Sequence, residues 1–190
     1  EKRLFFLEGQ EVFNATPRAD TRGRDIGEGG LPFTMVNTRR IGGKPRRPQS
    51  AVDVLIPQRE LVQRTELIGA VKTTGQIGSF RYGVMGAFED DVKFDVLSDA
   101  GPENLHQAGN DYGVARLLYE TSRRGDYRAI GVLSTAVLNP DRDALVQGVD
   151  WHYRTSSGGV KIDGQYMTSD IDGIEERGYG GFLDFEMTYR

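Results

Sequence analysis

The chain has no cysteine. Disulfides, thiolate nucleophiles and cysteine-bound zinc or iron–sulfur centres are therefore excluded. It has no apolar run near the 18 or so residues that a membrane-crossing helix needs, and no charged start followed by an apolar stretch that would read as a signal peptide. Basic excess is also missing. With 24 Lys and Arg against 28 Asp and Glu, the formal charge is −4, a mild acidity that gives no electrostatic case for nucleic acid, which wants a concentrated basic face. Proline is scarce at 7 residues and histidine scarcer at 2. Glycine is not scarce: there are 25, with hydrophobic residues at only 37% and a mean hydropathy of −0.49. Soluble β-rich proteins have such a composition. So do membrane barrels, whose strands alternate lipid-facing and lumen-facing residues and never form apolar runs. The chain opens Glu1-Lys2-Arg3 without Met and reads as a fragment or a processed segment.

Two regions follow from the punctuation. Residues 1–64 hold five of the prolines, Gly pairs and the Arg pairs Arg39-Arg40 and Arg46-Arg47, with only short apolar pieces at Leu4–Leu7, Phe33–Val36 and Val52–Ile56. This pattern predicts an irregular, plug-like entering segment of short strands and turns, without helices. Residues 65–190 change character. Windows of 9 to 12 residues alternate apolar with small or polar side chains between turn signals: Thr65–Thr74, Phe80–Phe88, Asp111–Thr121, Tyr127–Leu138, Ala144–Arg154, Val160–Thr168 and Gly181–Arg190. The expected fold is all-β, an antiparallel up-and-down meander of about seven strands.

Length and connections favour part of a transmembrane barrel over a soluble sandwich. A strand tilted about 45° in a bilayer needs roughly 9–11 residues, whereas strands in globular proteins centre on about 5–6. The connections alternate short (Gly75–Ser79, Ser122–Asp126, Thr155–Gly159) with longer (Glu89–Asn110, Asn139–Asp143, Ser169–Gly180), as barrels alternate periplasmic turns with extracellular loops. One face of the windows then carries Lys72, Arg81, Arg116, Asp150, Lys161, Asp163, Asp184 and Glu186. Against lipid, Arg or Lys at the midplane costs roughly 2–4 kcal/mol, so these are expected to line the lumen. The opposite face carries Phe80, Tyr82, Phe88, Trp151, Tyr153, Tyr166, Phe185 and Tyr189, expected to face lipid or form an interfacial girdle.

The opening Phe5-Phe6-Leu7-Glu8-Gly9, with Val12-Phe13-Asn14 and then Thr38-Arg39-Arg40-Ile41-Gly42, resembles a family of large bacterial outer-membrane proteins. In that family a module like the family 9 carbohydrate-binding modules precedes a β-barrel. The resemblance continues through Ala70, Lys72, Thr74 and Gly75, Tyr112 with Arg116-Leu117, and Gly148-Val149-Asp150. It implies the barrel portion only, an outer-membrane location in a Gram-negative host, contact with membrane lipid and lipopolysaccharide, and a glycan or nutrient as ligand. It supplies no catalytic residue. The carbohydrate-binding module is missing from this chain. Bacterial barrels have even strand numbers and must close, so about seven strands are expected to be a portion of a larger wall.

Candidate chemistry is sparse. Neither His106 nor His152 has a neighbour at metal-ligand spacing. Asp170-Ile171-Asp172-Gly173 with Glu175-Glu176 is a weak match to a calcium loop, with Gly at position 4 where the pattern needs it at 6, and Asn139, Asp141 and Asp143 form a similarly weak cluster. The Gly-rich pieces Gly27–Gly30 and Gly178–Gly181 do not join a strand to a helix, as phosphate cradling requires. Asp163 and Asp184 could oppose each other as glycosidase acids do, but lumen lining accounts for them more simply. No catalytic, cofactor or metal residue is assigned. The leading expectation is a structural or transport role. A soluble β domain binding carbohydrate through exposed Trp151 and Tyr153 stands second, and a glycoside-cleaving enzyme third.

Overall fold

A computed structural model describes residues 2–13, 36, 38–45, 48, 54–99 and 101–188. The architecture is an antiparallel β meander. Seven strands form one sheet in the order β1(Leu67–Ile77), β2(Phe80–Glu89), β5(Asp111–Arg123), β6(Asp126–Leu138), β7(Ala144–Arg154), β8(Val160–Ile171) and β9(Gly178–Met187). All seven windows expected from the alternation are present. The connection between β2 and β5, expected as a loop, instead holds a separate hairpin of β3(Val92–Ser98) and β4(Gly101–Gln107). His106, expected in a loop, therefore lies on β4 opposite Lys93. The sheet is open, with β1 paired only to β2 and β9 only to β8.

Turn chemistry sets the meander. At the tight end, Arg124 and Gly125 both have positive φ, 54° and 85°. A two-residue hairpin turn that follows the twist of its strands needs this at both positions. At the opposite end lie the β3–β4 insertion, Asn139–Asp143 and the connection from β8 to β9. Asn139 braces that end: its backbone N–H donates to Asp143 Oδ1, and its side-chain amide donates to the carbonyls of Ala108 and Gly109.

The expectation of no helix before residue 64 is corrected at two points. Lys2–Leu7 forms α1 and Gln58–Val62 forms α2. Leu4–Leu7 carries no breaker, and the turn ends only at Gly9, whose φ of +64° is the left-handed closure of a helix C-terminus. Pro57 precedes α2 and starts a helical turn, because its missing N–H would have had no intrahelical partner there. Both pieces are too short for a 3.6-residue period to show. Further 3-10 turns occupy Gln10–Phe13 and Thr38–Arg40. The Phe33–Val36 piece falls outside the described residues except for Val36, which is buried.

Strand parity divides the sheet. One face, here called inner, carries the core. Phe6, Phe13 and Val36 from the N-terminal segment pack on Met85, Ala87, Val114 and Leu133. A second, smaller core lies under the inserted hairpin, where Val92, Phe94 and Val96 pack on Val54, Ile56, Leu61 and Leu105.

Candidate functional site

The outer face is built from the apolar half of the alternation. In register across all seven strands run Ile77, Phe80, Tyr119, Ile130, Trp151, Gly164 and Leu183. Apart from Gly164, which lies buried under the Trp151 ring, none is covered: Ile77 is 71% exposed, Trp151 37% and Leu183 69%. The next row is Gly75, Tyr82, Leu117, Val132, Val149, Tyr166 and Gly181. Charge on this face sits only at strand ends, with Asp111 and Asp170 toward the longer connections and Arg123, Asp126 and Arg128 toward the tight turns. Between those ends no described outer-face residue is charged. Large rings fill the spaces over cross-strand glycines. A Cβ at Gly164 would lie inside the Trp151 ring, and one at Gly75 would strike Tyr82.

Of the residues expected to face lipid, Phe80, Tyr82, Phe88, Trp151, Tyr153, Tyr166 and Phe185 share this outer face. Tyr189 lies outside the described residues. Phe80 meets Tyr119 at 5.1 Å between ring centroids, and Tyr166 stacks on Tyr179 at 6.5 Å.

All eight residues expected to line a lumen share the inner face: Lys72, Arg81, Arg116, Asp150, Lys161, Asp163, Asp184 and Glu186. They do not spread evenly. The half of that face near the longer connections is mostly apolar, with buried Glu89 at its end, and holds the N-terminal segment. The half near the tight turns holds a chain of ionic contacts. Arg116 forms a two-pronged pair with Asp150, the Nη2–Oδ2 contact being 2.7 Å. Asp150 Oδ2 meets His152 Nε2 at 2.7 Å, and His152 Nδ1 meets Asp163 Oδ1 at 2.8 Å. Lys161 Nζ lies 3.2 Å from Asp163 Oδ2. Arg116 is 3% exposed, Asp150 1% and Asp163 2%. With a carboxylate oxygen at each ring nitrogen, His152 satisfies both only by donating from both, as imidazolium. Beside this chain, Arg81 pairs with Glu120 at 3.1 Å, and the Tyr127 hydroxyl donates to the same carboxylate.

Glycine makes the chain geometrically feasible. Arg116 on β5 must cross β6 to reach Asp150 on β7. It does so over Gly131, where a Cβ would stand 2.6–2.8 Å from the guanidinium. The sequence signal for the site was present in part: Asp150 and His152 are two apart on one strand and must share a face. The partner strands and the gap at Gly131 come from register alone, which is why His152 passed as an isolated residue.

The N-terminal segment is tied to the inner face by two charged side chains. Lys72 Nζ donates to the carbonyls of Phe5 and Glu8 and sits 4.9 Å from the Phe5 ring centroid. Glu89, buried, accepts the Gly42 N–H at 2.7 Å, the Asn110 amide at 2.8 Å and the Tyr112 hydroxyl at 3.4 Å. Phe13 rests over Gly83, where a Cβ would come within 2.8 Å of its ring.

Other sequence candidates separate. Asp163 and Asp184 are direct cross-strand partners, but Asp163 is already held by His152 and Lys161. Among the described residues no group of three His, Asp or Glu side chains is arranged to hold a metal ion. Asp170 pairs with Arg177 at 3.1 Å. Arg46, Arg47 and Gly27–Gly30 lie outside the described residues. No described helix is long and apolar enough to cross a membrane, a statement that does not bear on crossing with strands. No family model, curated protein or solved structure matches the chain.

Proposed function

We propose that this chain forms part of the wall of an outer-membrane β-barrel, in a structural or transport role, with its N-terminal segment seated on the lumen side. The observation that carries this reading is the outer face: seven adjacent long strands present an exposed, mostly apolar surface, crossed by one uncharged polar row of Thr73, Ser134, Gln147 and Thr168, with charge confined to the two ends. In water such a surface would be an aggregation hazard far larger than the few hundred Å² a soluble monomer tolerates. In a bilayer it is the expected lipid contact. On β6 the uncharged outer stretch from Ile130 to Leu138 covers nine residues. That is about 30 Å of strand at roughly 3.3 Å per residue, or about 21 Å of depth at a 45° tilt, near the height of a barrel's apolar band. The aromatics Phe80, Tyr119, Trp151, Tyr153 and Phe185 gather toward the tight-turn end, where an interfacial girdle would stand. The buried Arg116–Asp150–His152–Asp163 chain fits a lumen wall. The N-terminal segment fits a plug, and the resemblance of the Phe5–Gly9 and Thr38–Gly42 stretches to barrel-bearing outer-membrane proteins points the same way, with a glycan or nutrient as cargo.

The chain's single tryptophan makes the test direct. The protein is refolded into vesicles whose acyl chains carry bromine near the headgroup, near the chain end, or not at all. Trp151 emission is expected to fall to below about half with shallow bromine and less with deep bromine, as its girdle position requires. Equal emission in all three lipids removes the membrane reading.

One observation supports a second reading, a soluble carbohydrate-binding sheet. Trp151 lies across Gly164 with its ring partly exposed, as a sugar-stacking platform would. In that case the protein stays monomeric without detergent, and glycans rather than bromolipids change Trp151 emission.

A further inference from the structure

We propose that the cavity where the N-terminal segment meets the longer connections binds a small hydroxylated carboxylate. The cavity measures about 330 Å³, at the small end of ligand sites and suited to a molecule of sugar-acid size. Its walls are Arg40 and Lys44 from the N-terminal segment, Glu89 and Tyr112 from the sheet, and the Gln107–Asn110 stretch that leads out of β4. None of the sheet residues lining it lies on the outer face, so the proposal stands apart from the membrane reading.

The rim is built and braced. Gly109 approaches the backbone of Glu89 and Asp90 so closely that a Cβ would overlap them. Its N–H donates to Asp91 Oδ1 at 3.1 Å, and its carbonyl accepts the Asn139 amide at 3.0 Å. The one buried acid in the wall is already committed: both oxygens of Glu89 accept hydrogen bonds, from Gly42, Asn110 and Tyr112. Its lone pairs are thereby turned to the wall, and the open valences left in the cavity are of two kinds. Arg40 and Lys44 are exposed cations that form no ion pair among the described residues. Gln107 has a buried side-chain oxygen that takes no hydrogen bond from any described residue.

A buried acceptor left without a donor is destabilising. The amide's last torsion is soft, so a small swing turns that oxygen to a donor inside the cavity. The complementary guest carries an anion for Arg40 and Lys44 at one end and a hydroxyl donor for Gln107 at the other. A carboxylate matches the guanidinium fork better than a spherical anion does. A simple carboxylate leaves Gln107 unanswered, and a neutral polyol leaves the two cations unanswered.

Three probes of equal carbon number separate these terms: gluconate (carboxylate and hydroxyls), sorbitol (hydroxyls only) and hexanoate (carboxylate only). Each is titrated calorimetrically into the full chain held in detergent. Gluconate is expected to bind about tenfold or more tighter than either relative. The Arg40→Gln/Lys44→Gln double variant changes only exposed side chains and keeps the fold. It is expected to bring gluconate down to the level of sorbitol. Gln107→Leu is expected to bring gluconate down to the level of hexanoate while leaving hexanoate unchanged. The proposal is overturned if gluconate gives no heat at millimolar concentration, if sorbitol or hexanoate binds as tightly, or if the double variant binds gluconate like the wild type.

Discussion

At the scale of single residues, the inner face turns on one glycine. Arg116 and Asp150 sit on strands that are not neighbours, and Gly131 between them is the gap their pair bridges. Both partners are buried, so removing one leaves an uncompensated charge, a loss of about 3–5 kcal/mol. Asp150→Asn is therefore expected to lower unfolding free energy in urea by that order, with His152 left facing a neutral amide. Gly131→Val is expected to cost a similar amount by forcing the guanidinium off its path. The paired replacement Arg116→Met/Asp150→Leu is expected to recover part of the loss, because it removes both charges of the pair while leaving His152 Nε2 without its acceptor. If Asp150→Asn unfolds at the wild-type urea midpoint, the pair is not holding this face. None of this was legible in the sequence beyond the shared parity of Asp150 and His152, since a residue two strands away is invisible until the register is known.

At the scale of elements, the strands were the legible part. Alternation in Phe80–Phe88 and Ala144–Arg154 is clear in spite of Gln147 on the apolar face and Val146 on the other, and a one-residue error would have put every charge on the outer face. The insertion was not legible. Val92, Phe94 and Val96 alternate cleanly, but their partner strand reads Gly-Pro-Glu-Asn-Leu-His-Gln, with a proline that propensity assigns to a loop. Pro102 is tolerated because β4 is an edge strand, paired only with β3. The N-terminal segment was legible as irregular, while its helical turn at α1 was hidden by brevity. What fixes that segment is tertiary: Lys72 gathers the carbonyls at the end of α1, and Glu89 gathers Gly42. A hydrogen bond to a charged group contributes about 1.5–3 kcal/mol. Glu89→Leu is thus expected to speed exchange of the Gly42 amide by roughly ten- to a hundredfold, with the Ile130 amide in the middle of β6 unchanged. Equal acceleration at both amides would mean that Glu89 holds the whole sheet, and no acceleration at Gly42 would mean that the latch is not formed.

At the scale of the whole molecule, strand direction constrains any closed wall. Every neighbour in the seven-stranded sheet is antiparallel, so directions alternate and the first and seventh strands, β1 and β9, run the same way. They cannot pair antiparallel with each other. Two copies inserted in the same sense cannot join β1 to β1 antiparallel either. A wall that continues the antiparallel order takes an odd number of further strands between β9 and β1, from this polypeptide or another. The edges themselves ask for such neighbours. Ile68 and Val71 on β1, and Leu183 and Phe185 on β9, are among the most exposed apolar side chains. The central stretches of both edges carry only inward-pointing charges, Lys72 on β1 and Asp184 and Glu186 on β9, to blunt them, and an unpaired edge in hydrocarbon leaves each backbone group several kcal/mol short of satisfaction. Cysteines placed at Val71 and Leu183, one on each edge and both on the outer face, report the closure. In the membrane-inserted protein these two positions are expected to give no disulfide under mild oxidation. A control pair at Val84 and Ala115, directly opposed across β2 and β5, is expected to cross-link readily. An efficient Val71→Cys/Leu183→Cys disulfide within one chain would mean that β1 and β9 meet in parallel, and that seven strands suffice to close the wall.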